Sequence, residues 1–302
     1  MKKVAITTTS FAKSDTRPME MLKEEGLEIV VNDLGRKLSK DETVSLCNGC
    51  VAILAGTENY GRDVLMKLAG LKVISRCGVG LESIDLKAAN EMGIEVINTP
   101  FGPTTAVAEL TVALILDLLR KVSFMDRTVR SGGWEKIMGS LLSGKNVGII
   151  GFGRIGEKVA ALLEPFGCKI MYTDITRGAV KNFRNVPLTE LLKKSDIVSI
   201  HVSSKETLIS EKELMAMKKS ALIVNMSRGE VVDESALYRA LKDGHIGGAA
   251  LDVFNEEPYG GPLKYLDNVV LTPHVGSYAL EARIGMEIES VENLLKSLKG
   301  VK

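Results

Sequence analysis

The sequence is poor in the features that mark special classes of protein. Its 302 residues hold four cysteines, too few and too scattered to staple a chain of this size, so no disulfide framework is expected. Lys and Arg number 39 against 38 Asp and Glu, and no basic block stands out, so nothing marks a nucleic-acid surface. No apolar run is long enough to span a bilayer, since the most hydrophobic stretch, residues 106–119, carries Glu109 and Asp117. The first residues include Lys2 and Lys3, but Thr7, Thr8 and Thr9 break the apolar run behind them, so they do not read as a signal peptide. Low-complexity segments and long charged arms are missing too. What remains is 45% hydrophobic and 25% charged, the make-up of a cytoplasmic globular protein large enough for two domains.

What is present is organised around residues 145–156. Val147-Gly148-Ile149-Ile150 reads as a buried parallel strand. It runs into Gly151-Phe152-Gly153-Arg154-Ile155-Gly156 and then into a helical pattern over 157–166. A second strand, 168–172, leads to Asp174. Gly151 permits the tight turn, Gly153 lets the backbone approach a pyrophosphate, and Gly156 lets the helix pack on the strand. The helix N-terminus offers N–H groups and a positive dipole end to phosphates. Asp174 lies 18 residues past Gly156, where a carboxylate accepts hydrogen bonds from ribose hydroxyls. The pattern predicts a bound dinucleotide. Asp174 favours NAD, because it would repel the 2′-phosphate of NADP, whereas nearby Arg177 leans the other way.

Before this stretch, strands at 3–7, 27–31, 51–54, 71–75 and 95–97 alternate with helices at 17–26, 41–47, 62–69 and 83–92. That alternation predicts a parallel sheet covered on both faces. Pro100, Gly102 and Pro103 mark a linker or hinge. Thr104 then caps a long helix expected to reach about Arg130 and to be buried nearly all round. That helix, with the loop Ser131-Gly132-Gly133-Trp134, points to a dimer in which Trp134 is an interface anchor. Strands at 196–202, 221–225, 248–251 and 269–271, with helices at 211–217 and 234–243, complete a second doubly wound sheet. A final helix covers 281–298. Because the dinucleotide motif starts so late, the cofactor domain (100–277) is expected to be inserted into a substrate domain made of 1–99 and 278–302. The fold class is α/β: a Rossmann NAD domain within a flavodoxin-like one.

Ligands of such sheets bind at the carboxyl ends of strands. Three strand ends there carry chemistry: Met226-Ser227-Arg228-Gly229, Asp252 to Glu257, and Thr272-Pro273-His274-Val275-Gly276-Ser277. Interconversion of a 2-oxo and a 2-hydroxy acid needs a hydride from the cofactor. It needs a proton donor and acceptor near neutral pH, which His274 supplies. It needs a carboxylate such as Glu257 to orient that imidazole, and a planar cation such as Arg228 to clamp the substrate carboxylate.

These residues sit in motifs that resemble the D-isomer-specific 2-hydroxyacid dehydrogenase family over essentially the whole chain. The motifs are GFGRIG with Asp174, NMSRGEVVDESAL (225–237), ALDVFNEEP (250–258) and LTPHVGS (271–277). The resemblance implies His274 as acid/base, Glu257 (not Glu256) as its partner, and Arg228 as substrate clamp. It implies cofactor contacts at Gly151, Gly153, Arg154, Ile155, Gly156, Asp174, His201, Met226, Ser227, Asp252, His274 and Gly276. It also implies a substrate-carboxylate loop at Cys77, Gly78, Val79 and Gly80, a discontinuous substrate domain, a homodimer, NAD as cofactor and no metal. Within the family the chain looks most like short D-3-phosphoglycerate dehydrogenases of serine biosynthesis, ending at Lys302 without a regulatory domain. Arg62 and Arg76 are the candidate phosphate contacts. Hydroxypyruvate/glyoxylate reductase is the alternative, and an NAD-sensing corepressor-like protein a remote one. The chain departs from the family pattern at Glu82-Ser83-Ile84-Asp85, at Pro103 and after His201. His201 is expected to be structural or cofactor-lining, His245 a surface turn residue, and Cys47, Cys50 and Cys77 packing thiols.

Overall fold

The computed structural model describes residues 2–300 except 177, 179 and 181. The chain divides into two compact units, Met1–Pro103 with Ser277–Lys302, and Thr104–Gly276.

The first unit alternates β1 (Lys3–Ile6), α1 (Arg17–Glu24), β2 (Glu28–Val31), α2 (Lys40–Cys47), β3 (Ala52–Ala55), α3 (Arg62–Leu65), β4 (Val73–Arg76), α4 (Leu86–Glu91) and β5 (Glu95–Asn98). All strands are parallel, in the order β2-β1-β3-β4-β5 of flavodoxin-like sheets. The central strands are apolar on both faces because both are covered. One face packs Ile53 and Ile74 against Tyr60, Leu65 and Ala88. The other packs Ile6 and Leu54 against Leu22 and the C-terminal helix. Helix starts follow their caps. Ser39 and Glu42 form a capping box at α2, and the Asp85 carboxylate accepts the Ala88 N–H at 2.8 Å. That cap starts α4 at Leu86 rather than at Ser83. The helix expected over 62–69 is a single turn at α3, after which Lys67, Leu68 and Leu71 bond to the third residue back.

The second unit contains α5 (Pro103–Arg120), α6 (Val122–Arg130), β6 (Asn146–Ile150), α7 (Arg154–Leu163), β7 (Lys169–Thr173), β8 (Arg184–Asn185), α8 (Leu188–Lys194), β9 (Ile197–Ile200), α9 (Glu211–Ala216), β10 (Leu222–Asn225), α10 (Glu234–Lys242), β11 (Gly248–Leu251) and β12 (Val269–Leu271). Its parallel sheet runs β12-β11-β10-β9-β6-β7-β8, so the order reverses between β6 and β9, the switch point where doubly wound folds bind ligands. The long helix expected from Thr104 to Arg130 is two helices. Lys121 adopts a left-handed conformation (φ 52°) and breaks it. The first half starts at Pro103, so Thr104 is not its cap. The second half has no buried residue, which corrects the expectation of burial all round. The β8 and α8 elements were not anticipated.

The closing helix α11 (Leu280–Gly300) buries Met286, Ser290, Val291, Leu294 and Leu298. It lies on the first unit's sheet, where Ser75 Oγ donates to the Ser290 carbonyl at 2.7 Å. Among the described residues no helix is long and apolar enough to cross a membrane.

Candidate active site

The turn after β6 is built so that only glycine fits at two of its positions. Gly151 is left-handed (φ 87°), and a Cβ there would lie 2.6 Å from the His201 carbonyl oxygen. A Cβ on Gly156 would lie 2.2 Å from the Gly151 carbonyl oxygen, so α7 rests directly on the turn. Gly153 is different: an added Cβ would meet nothing within 4 Å. The backbone is therefore open at the start of α7, where a helix leaves its first N–H groups outside its own hydrogen-bond ladder. Phe152 is fully buried and stacked on Tyr172 at 4.0 Å. At the end of β7, Asp174 Oδ2 accepts the Phe152 N–H at 2.7 Å, and Oδ1 accepts from the Thr176 N–H and hydroxyl. This ties the acid to the glycine turn. An open helix N-terminus beside a fixed carboxylate fits a dinucleotide pyrophosphate and ribose. Arg177 lies outside the described residues. His201 follows β9, with Nε2 and Ser199 Oγ hydrogen-bonded at 2.8 Å and Nδ1 buried without a partner among the described residues. Burial pushes its pKa down to about 3, so the ring is neutral.

The strands β10, β11 and β12 are neighbours, and the loops that follow them interlock. After β10, the Ser227 N–H and hydroxyl both donate to Asn225 Oδ1, and Asn225 Nδ2 donates to the Arg228 carbonyl at 2.9 Å. This local knot aims Arg228, whose Nη1 also donates to the Ser227 carbonyl at 2.8 Å. A Cβ on Gly229 would lie 2.0 Å from the Phe254 carbonyl carbon, so this loop presses backbone to backbone on the one after β11. That second loop leads to Glu257, whose carboxylate contacts His274 Nδ1 at 2.9 and 3.2 Å. Glu257 also accepts the Phe254 N–H at 3.2 Å. With side-chain exposures of 54% and 39%, His274 and Glu257 are open to a small molecule. Because Nδ1 faces the carboxylate, Nε2 is the nitrogen left to exchange a proton. His274 is left-handed (φ 53°). Met226 is buried, and an added Cβ on Gly276 would lie 3.1 Å from Asp252 and 3.7 Å from Met226.

In the first unit, residues 77–80 follow β4. The Cys77 N–H donates to the Ala55 carbonyl at 3.0 Å, and the Gly78 N–H to Thr99 Oγ1 at 2.8 Å. The amides of Val79 and Gly80 have no such partner among the described residues. Arg76 is tied down: its Nη1 donates to the Cys77 carbonyl, and its guanidinium lies against Gly78. Arg62 pairs with Glu91 at 2.7 Å on the surface. Cys47, Cys50 and Cys77 are free, buried thiols, and burial pushes Cys77 up to about 11. His245 is half-buried with Nε2 covered, not an exposed turn residue. Among the described residues no group of three His, Cys, Asp or Glu side chains could hold a metal ion.

A family model described as the D-isomer-specific 2-hydroxyacid dehydrogenase, NAD-binding domain, matches residues 112–276. A glyoxylate reductase of Thermofilum pendens is 45% identical over 260 residues, covering 81% of this chain and 77% of that protein. This chain belongs to the D-isomer-specific 2-hydroxyacid dehydrogenase family. A D-3-phosphoglycerate dehydrogenase of Archaeoglobus fulgidus is 35% identical over 295 residues, 94% of this chain but 55% of that protein. The solved structure of an Aquifex aeolicus D-lactate dehydrogenase with NAD and lactic acid aligns with a TM-score of 0.83 at 28% identity, covering 99% of this chain and 96% of that one.

The protein is thus an NAD(P)-dependent dehydrogenase of small 2-hydroxy acids. Within its second unit the fold brings together Arg228, Glu257 and His274 at the ends of adjacent strands. The dehydrogenase's other substrate-site candidates, residues 77–80, belong to the first unit. Sequence reading gave no individual role to Asn225, Gly229 and Thr272, which hold these loops in place. Gly229 carried a signal, as a glycine directly after the key arginine. Thr272 did not, since its role depends on a neighbouring strand.

Proposed function

We propose that this dehydrogenase reduces a small unphosphorylated 2-oxo acid, of glyoxylate or hydroxypyruvate size, to the D-2-hydroxy acid with NADH. In this reading the Arg228 fork grips the substrate carboxylate and draws charge toward the 2-oxo oxygen. The nicotinamide, when bound, supplies the hydride to C2. His274 gives the proton on Nε2 to the oxygen that becomes the hydroxyl, and takes it back in the oxidative direction. Glu257 holds the ring through Nδ1 and stabilises its protonated form. Asp174 disfavours a 2′-phosphate and supports NAD. The exposed Val122, Val129, Trp134, Met138 and Leu141 suit the pairing of two copies.

The observation behind the substrate is the state of the two candidate phosphate cations. Arg62 is paired with Glu91, and Arg76 donates to main-chain carbonyls. The 45% identity to a protein named glyoxylate reductase points the same way. One observation favours the phosphorylated reading: Arg76 sits at the end of β4, next to residues 77–80. NADH oxidation with glyoxylate, hydroxypyruvate and phosphohydroxypyruvate side by side decides between them. A kcat/KM for phosphohydroxypyruvate far above the others would overturn the unphosphorylated reading. NADH binding with no turnover of any of the three would overturn both.

A further inference from the structure

Asp252 directly follows β11 and is 2% exposed, a buried carboxylate with no ion pair among the described residues. Burying such a charge is costly unless its lone pairs are filled. Here they are filled by the segment that carries His274. Oδ1 accepts from the Thr272 hydroxyl at 2.6 Å and the Val275 N–H at 2.8 Å, and Oδ2 accepts the Gly276 N–H at 2.8 Å. The strands themselves line up these ends: Leu251 and Leu271 are partners in register, and the Thr272 N–H donates to the Leu251 carbonyl at 3.0 Å. Residues 272–276 are thus wrapped around one carboxylate. His274 lies inside the wrap, with its own N–H donating to the Thr272 carbonyl at 3.0 Å.

The backbone of His274 requires such a hold. A non-glycine residue in the left-handed region persists only where its surroundings over-determine it. With His274 in this conformation, the two amides that follow it both donate to Asp252. The same conformation sets the ring on Glu257. The sequence resemblance put Asp252 at the nicotinamide end as a cofactor contact. Three of the roughly four acceptor positions on this carboxylate are filled by the His274 segment.

We propose that Asp252 is a positioning residue that acts through His274: it holds the left-handed backbone that presents the imidazole. This rests on the reading of His274 as the proton donor. A contact to the cofactor and a hold on His274 predict different patterns of loss. The test uses a double-mutant cycle with Asp252→Asn and His274→Ala, read by kcat/KM for the best 2-oxo acid and, separately, by NADH affinity from its fluorescence.

The side-chain nitrogen that Asp252→Asn introduces cannot accept the N–H that a carboxylate oxygen now holds, so the segment loosens. This substitution is expected to lower kcat/KM by about 10²-fold, the scale of a small displacement of a catalytic group. NADH affinity should be nearly unchanged, and in the His274→Ala background the second substitution should cost nothing more. If Asp252→Asn costs the same factor with or without His274, or weakens NADH binding as much as it lowers kcat/KM, the inference is overturned. Full turnover by His274→Ala alone would instead remove the proton-donor reading. Thr272→Val keeps the buried carboxylate and removes one of its three bonds, so it serves if Asp252→Asn does not fold. It should give a smaller loss of kcat/KM that also vanishes in the His274→Ala background, and no loss would overturn the inference.

Discussion

Gly229 and Phe254 stand so close that a methyl group on the glycine would occupy the same space as the Phe254 carbonyl carbon, 2.0 Å away. The loop bearing Arg228 and the loop leading to Glu257 are therefore one packed assembly. Backbone cannot yield as a flexible side-chain tip can. Gly229→Ala should cost more than the ~1–3 kcal/mol of ordinary overpacking. At about 2–4 °C per kcal/mol for a unit of this size, thermal unfolding should fall by several degrees or more. Calorimetry on the intact protein checks this, and an unchanged midpoint would refute the packing.

Arg228 offers a rigid fork, which lysine cannot copy. Arg228→Ala should lower kcat/KM for 2-oxo acids by about 10²-fold, the scale of a lost charge-assisted bond of ~1.5–3 kcal/mol. Arg228→Lys should recover only part of this. NADH affinity, measured directly by titration, should not follow the loss.

His201 links stability to pH. Its folded pKa of about 3 lies below the ordinary histidine value of 6.5, because burial penalises the charged ring. The unfolded chain therefore binds a proton that the folded chain refuses between those values. The stabilising contribution is complete above pH 6.5 and is lost as pH falls toward 3, at up to about 1.4 kcal/mol per unit. Denaturant unfolding at pH 7 and pH 5 should show a steeper loss for the wild type than for His201→Gln, which has no group to titrate. Equal slopes would contradict the burial of a neutral ring.

Asp174 should decide between cofactors. Its carboxylate is fixed against the glycine turn by Phe152 and Thr176, where a 2′-phosphate would meet its charge. Asp174→Ala should narrow the preference for NADH over NADPH by about tenfold, or 1.4 kcal/mol. The ratio of kcat/KM values for the two cofactors measures it, and an unchanged ratio would place the selectivity elsewhere.

What could be read from the sequence divides along physical lines. The turn at residues 151–156 was legible because its geometry excludes side chains at Gly151 and Gly156, and only glycine can answer that demand. Arg228, Glu257 and His274 were legible as strand-end residues because buried parallel strands are written as apolar runs that stop abruptly. The break at Lys121 was hidden, since lysine carries no preference for the left-handed conformation it adopts there. The exposure of α6 was hidden as well: an apolar pattern marks a face, not what covers it. The two-residue β8 is too short to leave a pattern. Arg62 and Arg76 looked alike as cations, and only the folded chain pairs one with Glu91 and the other with carbonyls. The hold of Asp252 on His274 runs through main-chain N–H groups, which no sequence displays.

The contact of His274 with Glu257 carries the proposed chemistry, so the most direct test is the reduction of glyoxylate and hydroxypyruvate by wild type and His274→Ala, with NADH binding measured on both. Loss of the proton donor should lower turnover by about 10²–10⁴-fold while NADH binds as before. A His274→Ala protein that reduces either acid at the wild-type rate would contradict the assignment.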